Sequence, residues 1–480
     1  MTERTHPDPA PSRRRVLGAT GAVALAALGS GLPAGRAAAA TGPVLTRLGD
    51  TLLDPAALYF VSFDGLVNNE SFQLNGILTH AGHQYTAWYT ADRSAILARR
   101  ALPGGPWQAL TLPHRLSADD SHNVISLAVS PEDGRMHVAM DVHNTTIFYA
   151  VSEPGLMTHP RTRSWSASRF GPVQRTLGGL ELGGISYPQF LLTPENRLQF
   201  SFRTGGSGNG TNELAEYAAG AWTRLGKWSG ATGTFTTGGV TSNTRNMYLH
   251  GLTYGRGGRL HAAFTWREGN LAVLCAPGGL SNHDTGYVYS DDRGRTWRNG
   301  AGDVVGTTGG TLVSIDAPGH VVDTVGVDQA LMNQESQAVD AAGRPHVIIS
   351  YVPERVTSCV TSYAADRTAN ARTFHLHQDA TGTWHKTELP MPPNATGRSR
   401  LVFDRHGNAY VVMPFGRIAA ASARSGWTDW RLLFDGLNAF GEVIVDYPRV
   451  AASGVLSILF QEKSTGTTPS PVRVIDFKLG

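Results

Sequence analysis

A short pattern of turn, polar step and apolar strand recurs along the chain. Each copy begins with a glycine or an asparagine and ends in a strand in which apolar side chains dominate. Seven copies are present, and their starting points are separated by 52, 62, 62, 85, 64 and 47 residues. The copies begin at Gly82, Gly134, Asn196, Gly258, Gly343, Gly407 and Gly454. A turn-and-strand unit at this spacing is typical of the blades of a β-propeller.

The predicted fold is all-β, a single seven-bladed β-propeller over residues 41–480. Beyond residue 40 no long stretch has a helical period, and Gly or Pro turns interrupt every candidate helix. Residues 290–297 read SDDRGRTW, which matches the S-x-D-x-G-x-T-W Asp box, a hairpin turn of sialidase-like propellers. That motif predicts structure and not chemistry. A pair of β-sandwich domains is the main alternative, but it would not explain the repeated turn.

The first 40 residues have the composition of an export signal. Ser12 precedes three arginines, an apolar run follows as far as Leu32, and alanines occupy positions 37–40. A basic start, a short apolar core and a small-residue end are typical of secretory signals, and the arginines after a serine resemble a twin-arginine signal. The core is too short and too weakly apolar to span a membrane well. We therefore expect a secreted protein that is exported folded and has no membrane association.

The balance of charges narrows the choice of partners. The chain has 480 residues, of which 16% are charged and 41% are hydrophobic, so it is not a disordered chain. Of its 41 basic and 38 acidic residues, five and two lie in residues 1–40, which leaves 36 of each. A neutral remainder argues against a nucleic-acid binder. We expect a monomer that binds no nucleic acid.

Polar residues cluster at an equivalent edge of the second, third and fourth predicted blades. His122 precedes one strand and His143 follows the next, so their hairpin can hold both side by side. Tyr187 opens a strand whose antiparallel neighbour ends in Arg203, and Tyr248 stands just before the next repeat strand. These five residues are the predicted catalytic set. The predicted substrate-binding residues beside them are Asn123, Asn144, Gln189 and Asn246.

The chemistry of this set suits β-elimination next to the carboxylate of a uronic acid. Ordinary glycoside hydrolysis relies on paired carboxylates, and none stands at a prominent position. An arginine neutralises the substrate carboxylate and stabilises the enolate-like intermediate. A histidine or tyrosine removes the C5 proton, and another group protonates the departing O4. The sequence leaves open which group is the base and which is the acid.

Several segments resemble the BNR-repeat propellers, which include ulvan lyases and rhamnosyl-glucuronate lyases. The resemblance rests on DVHN at 141–144, SYPQF at 186–190, GRGGRLHAAFTWRE at 255–268 and the Asp box, and it covers most of residues 60–415. It implies a seven-bladed fold. It also implies cleavage of rhamnosyl-(1→4)-glucuronate linkages by β-elimination, which yields a 4,5-unsaturated uronate.

The same resemblance implies roles for the candidate residues. His122 is expected to transfer a proton with Tyr187 as its partner acid or base. Arg203 and His143 are expected to neutralise the carboxylate, with Tyr248 nearby. The expected partner is an acidic polysaccharide or oligosaccharide, such as ulvan or a rhamnose-capped arabinogalactan, with endo or exo action left open. A sialidase-like glycoside hydrolase and a non-catalytic glycan-binding propeller are the alternatives.

No metal or other cofactor is predicted for the chemistry. A structural calcium or zinc ion occurs in some relatives, but Cys275, His283 and His261 lack the usual short ligand spacing of zinc sites. Ser281 stands where a zinc-bearing relative is expected to have a cysteine. Cys275 and Cys359 could pair after export, but the expectation is that they are buried free thiols.

Overall fold

The structure, a computed structural model, describes residues 42–72, 74–269, 275 and 280–480. Residues 42–480 form one compact unit. The predicted export signal lies outside the described residues. Over the described ranges, no helix has the length and apolar character needed to cross a lipid bilayer.

The strands pair antiparallel into seven sheets within the described residues. The chain begins with β1 (Leu45–Ala57), which belongs to the last sheet. The first sheet contains β2 (Ile77–His80), β3 (His83–Tyr89), β4 (Ser94–Ala101) and β5 (Gln108–Arg115). Then come β6 (Ile125–Val129), β7 (Met136–Met140), β8 (His143–Thr145) and β9 (Phe148–Val151). The second sheet is β6–β7–β9, whereas β8 joins the third sheet.

The third sheet combines β8 with β10 (Ile185–Leu192), β11 (Leu198–Gly206), β12 (Asn209–Ala218) and β13 (Ala221–Lys227). The fourth is the largest and contains β14 (Thr232–Thr237), β15 (Val240–Tyr254), β16 (Leu260–Glu268), β17 (Asn282–Ser290), β18 (Thr296–Arg298), β19 (Val304–Thr307) and β20 (Val321–Asp323).

The remaining three sheets complete the ring. The fifth contains β21 (Ser336–Val339), β22 (Pro345–Tyr351), β23 (Arg372–Gln378) and β24 (Trp384–Glu388), with helix α1 (Tyr363–Asn370) between its middle strands. The sixth contains β25 (Arg400–Phe403), β26 (Ala409–Val412), β27 (Ile418–Ala421) and β28 (Arg431–Phe434). The seventh combines β1 with β29 (Ile444–Val445), β30 (Val455–Gln461) and β31 (Ser470–Leu479), and helix α2 (Tyr447–Ser453) precedes β30.

Each of the seven repeat copies leads into an interior strand of its sheet. These strands are β3, β7, β11, β16, β22, β26 and β30. All seven starting residues have φ between 62° and 85°. This left-handed region is open to glycine at little cost and to asparagine more readily than to most residues, which explains the repeated residue choice. The prediction of an all-β propeller built on this repeat is confirmed.

The prediction of a seven-bladed propeller is wrong, because the described residues form six blades and one incomplete sheet. Among the sheets of the described residues, six have at least four strands, and β6–β7–β9 has three. Its fourth position is taken by the chain after β9, where isolated bridges join Tyr149 to Gln174 and Ser152 to Phe170. Pro172 lies between these bridges and has no backbone N–H to donate, so a continuous fourth strand does not form.

The Asp box is a structural turn, as predicted. Asp292 accepts hydrogen bonds from the backbone N–H groups of Arg295 and Thr296, at 3.1 and 2.7 Å. The Trp297 indole is fully buried and stacks on Trp228, with ring centroids 4.1 Å apart.

The two cysteines are joined, so the expectation of free thiols is wrong. Cys275 and Cys359 form a disulfide with Cα atoms 5.7 Å apart, a normal separation for such a bond. They are 84 residues apart in the chain. Only the fold brings them together, which is why their spacing did not predict the pair.

Candidate active site

A stacked pair of histidines lies at one end of the β6–β7 hairpin. His122 precedes β6 and His143 opens β8, and their ring centroids are 4.2 Å apart with an interplanar angle of 10°. Phe72 stacks on the ring of His122 at 5.3 Å. The structure therefore brings the two histidines together as the hairpin predicts.

One carboxylate connects both histidines. Oδ1 of Asp120 lies 2.8 Å from Nδ1 of His122, and Oδ2 lies 2.7 Å from Nδ1 of His143. Partial burial acts to raise the pKa of Asp120, but hydrogen bonds from both histidines outweigh it and lower this pKa. Burial lowers the pKa of His122 to about 4, with a contribution from the nearby His143 and opposition from Asp120. At neutral pH, Asp120 is therefore ionised and His122 is uncharged.

Arg203 and the two tyrosines meet beside this pair. Tyr187 has a φ of 57° and sits in an irregular stretch of the β10–β11 pairing, between Ser186 and Gln189. The Arg203 guanidinium lies 4.8 Å from the centre of the Tyr187 ring, and its Nη1 donates to the Tyr248 hydroxyl at 3.2 Å. This geometry fixes a buried cation against both phenol side chains.

The neighbours of Arg203 hold it in one orientation. Its Nη2 donates to Oδ1 of Asn144 at 2.7 Å and to the Ser186 hydroxyl at 2.9 Å. Ser186 also pairs with His143 across β10 and β8. The short strand β8 thus ties the arginine to the histidine pair.

A second arginine changes the acidity of Tyr248. Nη1 of Arg267 donates to the Tyr248 hydroxyl at 3.3 Å and to the Ser207 hydroxyl at 3.1 Å. Burial acts to raise the pKa of Tyr248, but the charges of Arg267 and Arg203 and the hydrogen bond with Ser207 outweigh it and lower this pKa. Burial and the neighbouring Tyr248 raise the pKa of Tyr187. Tyr248 is therefore the more acidic of the two phenols.

The predicted substrate-binding amides occupy different positions. Asn144 orients Arg203, as described above. Gln189 and Asn246 line a recess together with Tyr187, Arg203 and Tyr248. Asn123 does not line it. That residue is buried, and its backbone carbonyl accepts a hydrogen bond from Tyr89.

This recess has a cavity volume of about 30 Å³, and residues that line it carry several polar atoms without internal partners. In the part of the chain that the structure describes, Nε of Arg203, Nδ2 of Asn246 and Nε2 of His250 are buried and lack a hydrogen-bond partner. Buried polar groups are normally satisfied, so a cluster of such atoms in a recess is characteristic of a ligand site.

Three residues near the site were absent from the sequence-based set. Asp120 stands two residues before His122, so the sequence alone could have indicated that its carboxylate lies near the imidazole. Arg267 closes β16 much as Arg203 closes β11. Arg398 comes from the loop before β25 and lies over Phe72 at 5.3 Å, and no local pattern connects it to the other site residues.

The sequence-based zinc candidates are not brought together. Cys275 is in the disulfide, and His261 is buried with Nδ1 2.7 Å from the Tyr287 hydroxyl. His283 lies 3.0 Å from both Glu268 and Asp284. Two other groups of three potential ligands occur among the described residues, Asp120–His122–His143 and Cys275–Asp328–Cys359. In the first, hydrogen bonds already join the ligand atoms, and in the second the cysteines are paired.

Comparison with known proteins identifies the family. A family model described as a BNR repeat-containing family member matches residues 83–391. A long-isoform ulvan lyase from Alteromonas sp is 26% identical over 283 residues, which is 49% of this chain and 27% of that protein. A short-isoform ulvan lyase from Alteromonas sp. (strain LOR) is 24% identical over 267 residues, 45% of this chain and 48% of that protein. The match thus spans half or less of the length of either relative.

Solved structures share the fold at low identity. The polysaccharide lyase Uly1 has a TM-score of 0.68 and 18% identity, covering 90% of this chain and 99% of that chain. An ulvan lyase of family PL25 bound to -[GlcA(1-4)Rha3S]- has a TM-score of 0.62 and 13% identity, covering 88% of this chain and 95% of that chain. At these identities, the likeness shows a common fold.

Proposed function

The chain belongs to the BNR repeat-containing family, and we propose that it is a polysaccharide lyase acting on rhamnosyl-(1→4)-glucuronate linkages by β-elimination. The observation that carries the proposal is the placement of Arg203 against Tyr187 and Tyr248, beside the stacked pair of His122 and His143. A fixed cation for the uronate carboxylate and groups that exchange protons are what this reaction requires. The names of the relatives support the choice of a uronate-containing glycan.

In the proposed reaction, Arg203 binds the carboxylate at C6 of the uronic acid. Its guanidinium is always charged and its orientation is set by Asn144 and Ser186, so it stabilises the negative charge that develops when C5 loses its proton. The electron pair of the C5–H bond forms the C4–C5 double bond. The C4–O4 bond breaks, and O4 leaves with a proton supplied by the protein.

Asp120 determines which nitrogen of each histidine is available. An ionised carboxylate only accepts hydrogen bonds, so Nδ1 of both His122 and His143 must donate to it. The neutral ring of His122 then has its lone pair on Nε2. His122, which is uncharged at neutral pH, is therefore our choice for the base that removes the C5 proton.

Tyr187 is our choice for the acid that protonates O4. Its raised pKa keeps the hydroxyl protonated at neutral pH, so a proton is always available for the leaving group. Tyr248, with its pKa lowered by two arginines, is better suited to accept hydrogen bonds and to help orient Arg203.

The product distinguishes the proposal from its alternatives. Incubation with ulvan and with rhamnose-capped arabinogalactan is expected to produce a 4,5-unsaturated uronate, measured by ultraviolet absorbance and mass spectrometry. A saturated reducing sugar would instead indicate a sialidase-like hydrolase. Binding without turnover of any glycan in the panel would indicate a non-catalytic glycan-binding propeller.

Among the described residues, neither Tyr187 nor Tyr248 has a carboxylate as a hydrogen-bond partner, which disfavours the tyrosine nucleophile of a sialidase.

Asp120→Asn is expected to lower kcat roughly 10²-fold with little change in KM. The amide accepts one hydrogen bond and donates the other, so one histidine is forced to carry its proton on Nε2. Loss of the negative charge also lowers the pKa of His122, so the acidic limb of the pH–rate profile should move to lower pH.

The pH profile and thermal unfolding of Asp120→Asn should be measured together. A wild-type profile with reduced activity would mean that Asp120 only stabilises the fold, and unchanged kcat would reject its positioning role. Asp119→Asn is the matched control, because Asp119 is exposed and pairs with Arg93 instead.

We also propose that residues 1–40 direct export and that the exported protein is a monomer needing no metal for turnover. The basic excess of the chain lies in residues 1–40, and the remaining residues carry equal numbers of basic and acidic side chains. An anionic substrate would then be attracted by the local cations of the site and not by a basic surface.

A further inference from the structure

A large aromatic side chain is exposed beside the histidine pair. The side chain of Phe63 is the one aromatic among the exposed large apolar residues in the described ranges, and 72% of the residue surface is accessible. Its ring centroid lies 4.8 Å from that of His122 and 6.3 Å from that of His143. The interplanar angles are 79° and 86°, so the ring stands upright next to the two stacked imidazoles.

The backbone that presents Phe63 is in an unfavourable conformation. Phe63 and Asp64 have φ of 50° and 62° at the tip of a turn closed by Ser62 and Gly65, which exchange two backbone hydrogen bonds. A bulky residue in this region is rare, because its Cβ is crowded by the backbone, and glycine or asparagine is normal there. Such strain is kept when surrounding contacts enforce it.

Those contacts come from the segment that carries His122. The Ser121 backbone N–H donates to the Ser62 hydroxyl at 2.7 Å, and the Ser121 hydroxyl donates to the Ser62 carbonyl at 2.8 Å. Ser121 is fully buried and directly precedes His122. These hydrogen bonds tie the turn that carries Phe63 to the segment that carries the ring proposed as the base.

We propose that Phe63 is a stacking platform for the apolar face of a 6-deoxyhexose next to the cleaved bond. This inference rests on the proposed function, which places the uronate C5 at His122. A pyranose joined through O4 then lies within reach of the exposed ring, and a 6-deoxy sugar presents C–H groups and a methyl group to it. Among the described residues no cation lies over Phe63, and the adjacent Asp64 is exposed and acidic. The platform therefore favours a 6-deoxyhexose over a second uronate at this position.

Phe63→Ala is expected to raise KM for rhamnosyl-glucuronate substrates roughly 3- to 10-fold while kcat changes less than about twofold. Phe63→Trp should keep KM close to the wild-type value, because it retains an aromatic surface. On a glucuronan, where the neighbouring sugar is itself a uronate, Phe63→Ala should have little effect. Leu48→Ala, which truncates an exposed apolar side chain of β1, is the control.

A stability measurement separates binding from a structural role. Phe63→Gly removes the backbone strain, so the thermal midpoint should stay the same or rise while KM increases. A fall in the midpoint with unchanged KM would overturn the platform.

If the wild type turns over no glycan, the proposed function fails, and calorimetry with a rhamnose-ended oligosaccharide still decides this inference. Weaker binding by Phe63→Ala than by the wild type supports it, and equal binding overturns it.

Discussion

Arg203→Ala is expected to lower kcat on a uronate polysaccharide by roughly 10³-fold or more, because the developing enolate loses its fixed positive charge. The remaining Arg267 donates to the Tyr248 hydroxyl and to Asn282 and is not held by Asn144 or Ser186, so it does not replace the lost group. Initial rates of unsaturated-product formation over a range of substrate concentrations give kcat and KM separately.

Two further variants make the Arg203 result specific. Arg203→Lys keeps the charge but not the planar set of donors, so activity between that of the wild type and that of Arg203→Ala is expected. Arg197→Ala serves as the matched control, because Arg197 is in the turn before β11 and its guanidinium contacts Glu216. Wild-type activity in a folded Arg203→Ala protein would place the carboxylate site elsewhere.

His122→Ala is expected to reduce kcat by about 10²–10⁴-fold, the usual contribution of a proton-transfer group. Burial lowers the pKa of His122 to about 4. The wild-type rate should therefore stay constant down to about pH 5 and fall as the pH drops through the pKa of His122. Protonated His122 has no lone pair with which to accept the C5 proton. A pH–rate profile of kcat/KM measures this limb directly.

The control for His122→Ala is His159→Ala, which removes an exposed imidazole of the loop after β9. Its kinetics should match the wild type. If folded His122→Ala retains full turnover, the base is another residue and the proposed assignment is wrong. Loss of activity together with loss of the thermal transition would instead call for His122→Gln, which retains more of the side-chain volume.

Local signals predicted much of the fold and some of the site. The seven turn residues from Gly82 to Gly454 could be recognised in the sequence, because left-handed backbone restricts the choice of residue. Each turn is followed directly by its strand. The meeting of His122 with His143, and of Tyr187 with Arg203, followed from hairpin geometry, because antiparallel neighbours return to the same end of a sheet. The incomplete second sheet depended instead on Pro172, a detail that the repeat does not contain.

Local sequence patterns did not predict contacts between segments that lie far apart in the chain. The disulfide of Cys275 with Cys359 joins residues 84 positions apart, and Arg398 reaches the site from the loop before β25. Phe63 has no unusual neighbours in the sequence, and its exposure and strained backbone become visible only in three dimensions.

The sequence by itself determined the class of fold, the repeated strand unit and the types of residue that supply a cation and proton-transfer groups. Each of these depends on interactions within a turn, a strand or a hairpin, whose geometry is nearly the same in every protein. Only the tertiary structure decided that Asp120 joins both histidines, that the two tyrosines differ in acidity and that Phe63 stands beside them. Burial and charge act through space, so they depend on which strands the closed ring brings together.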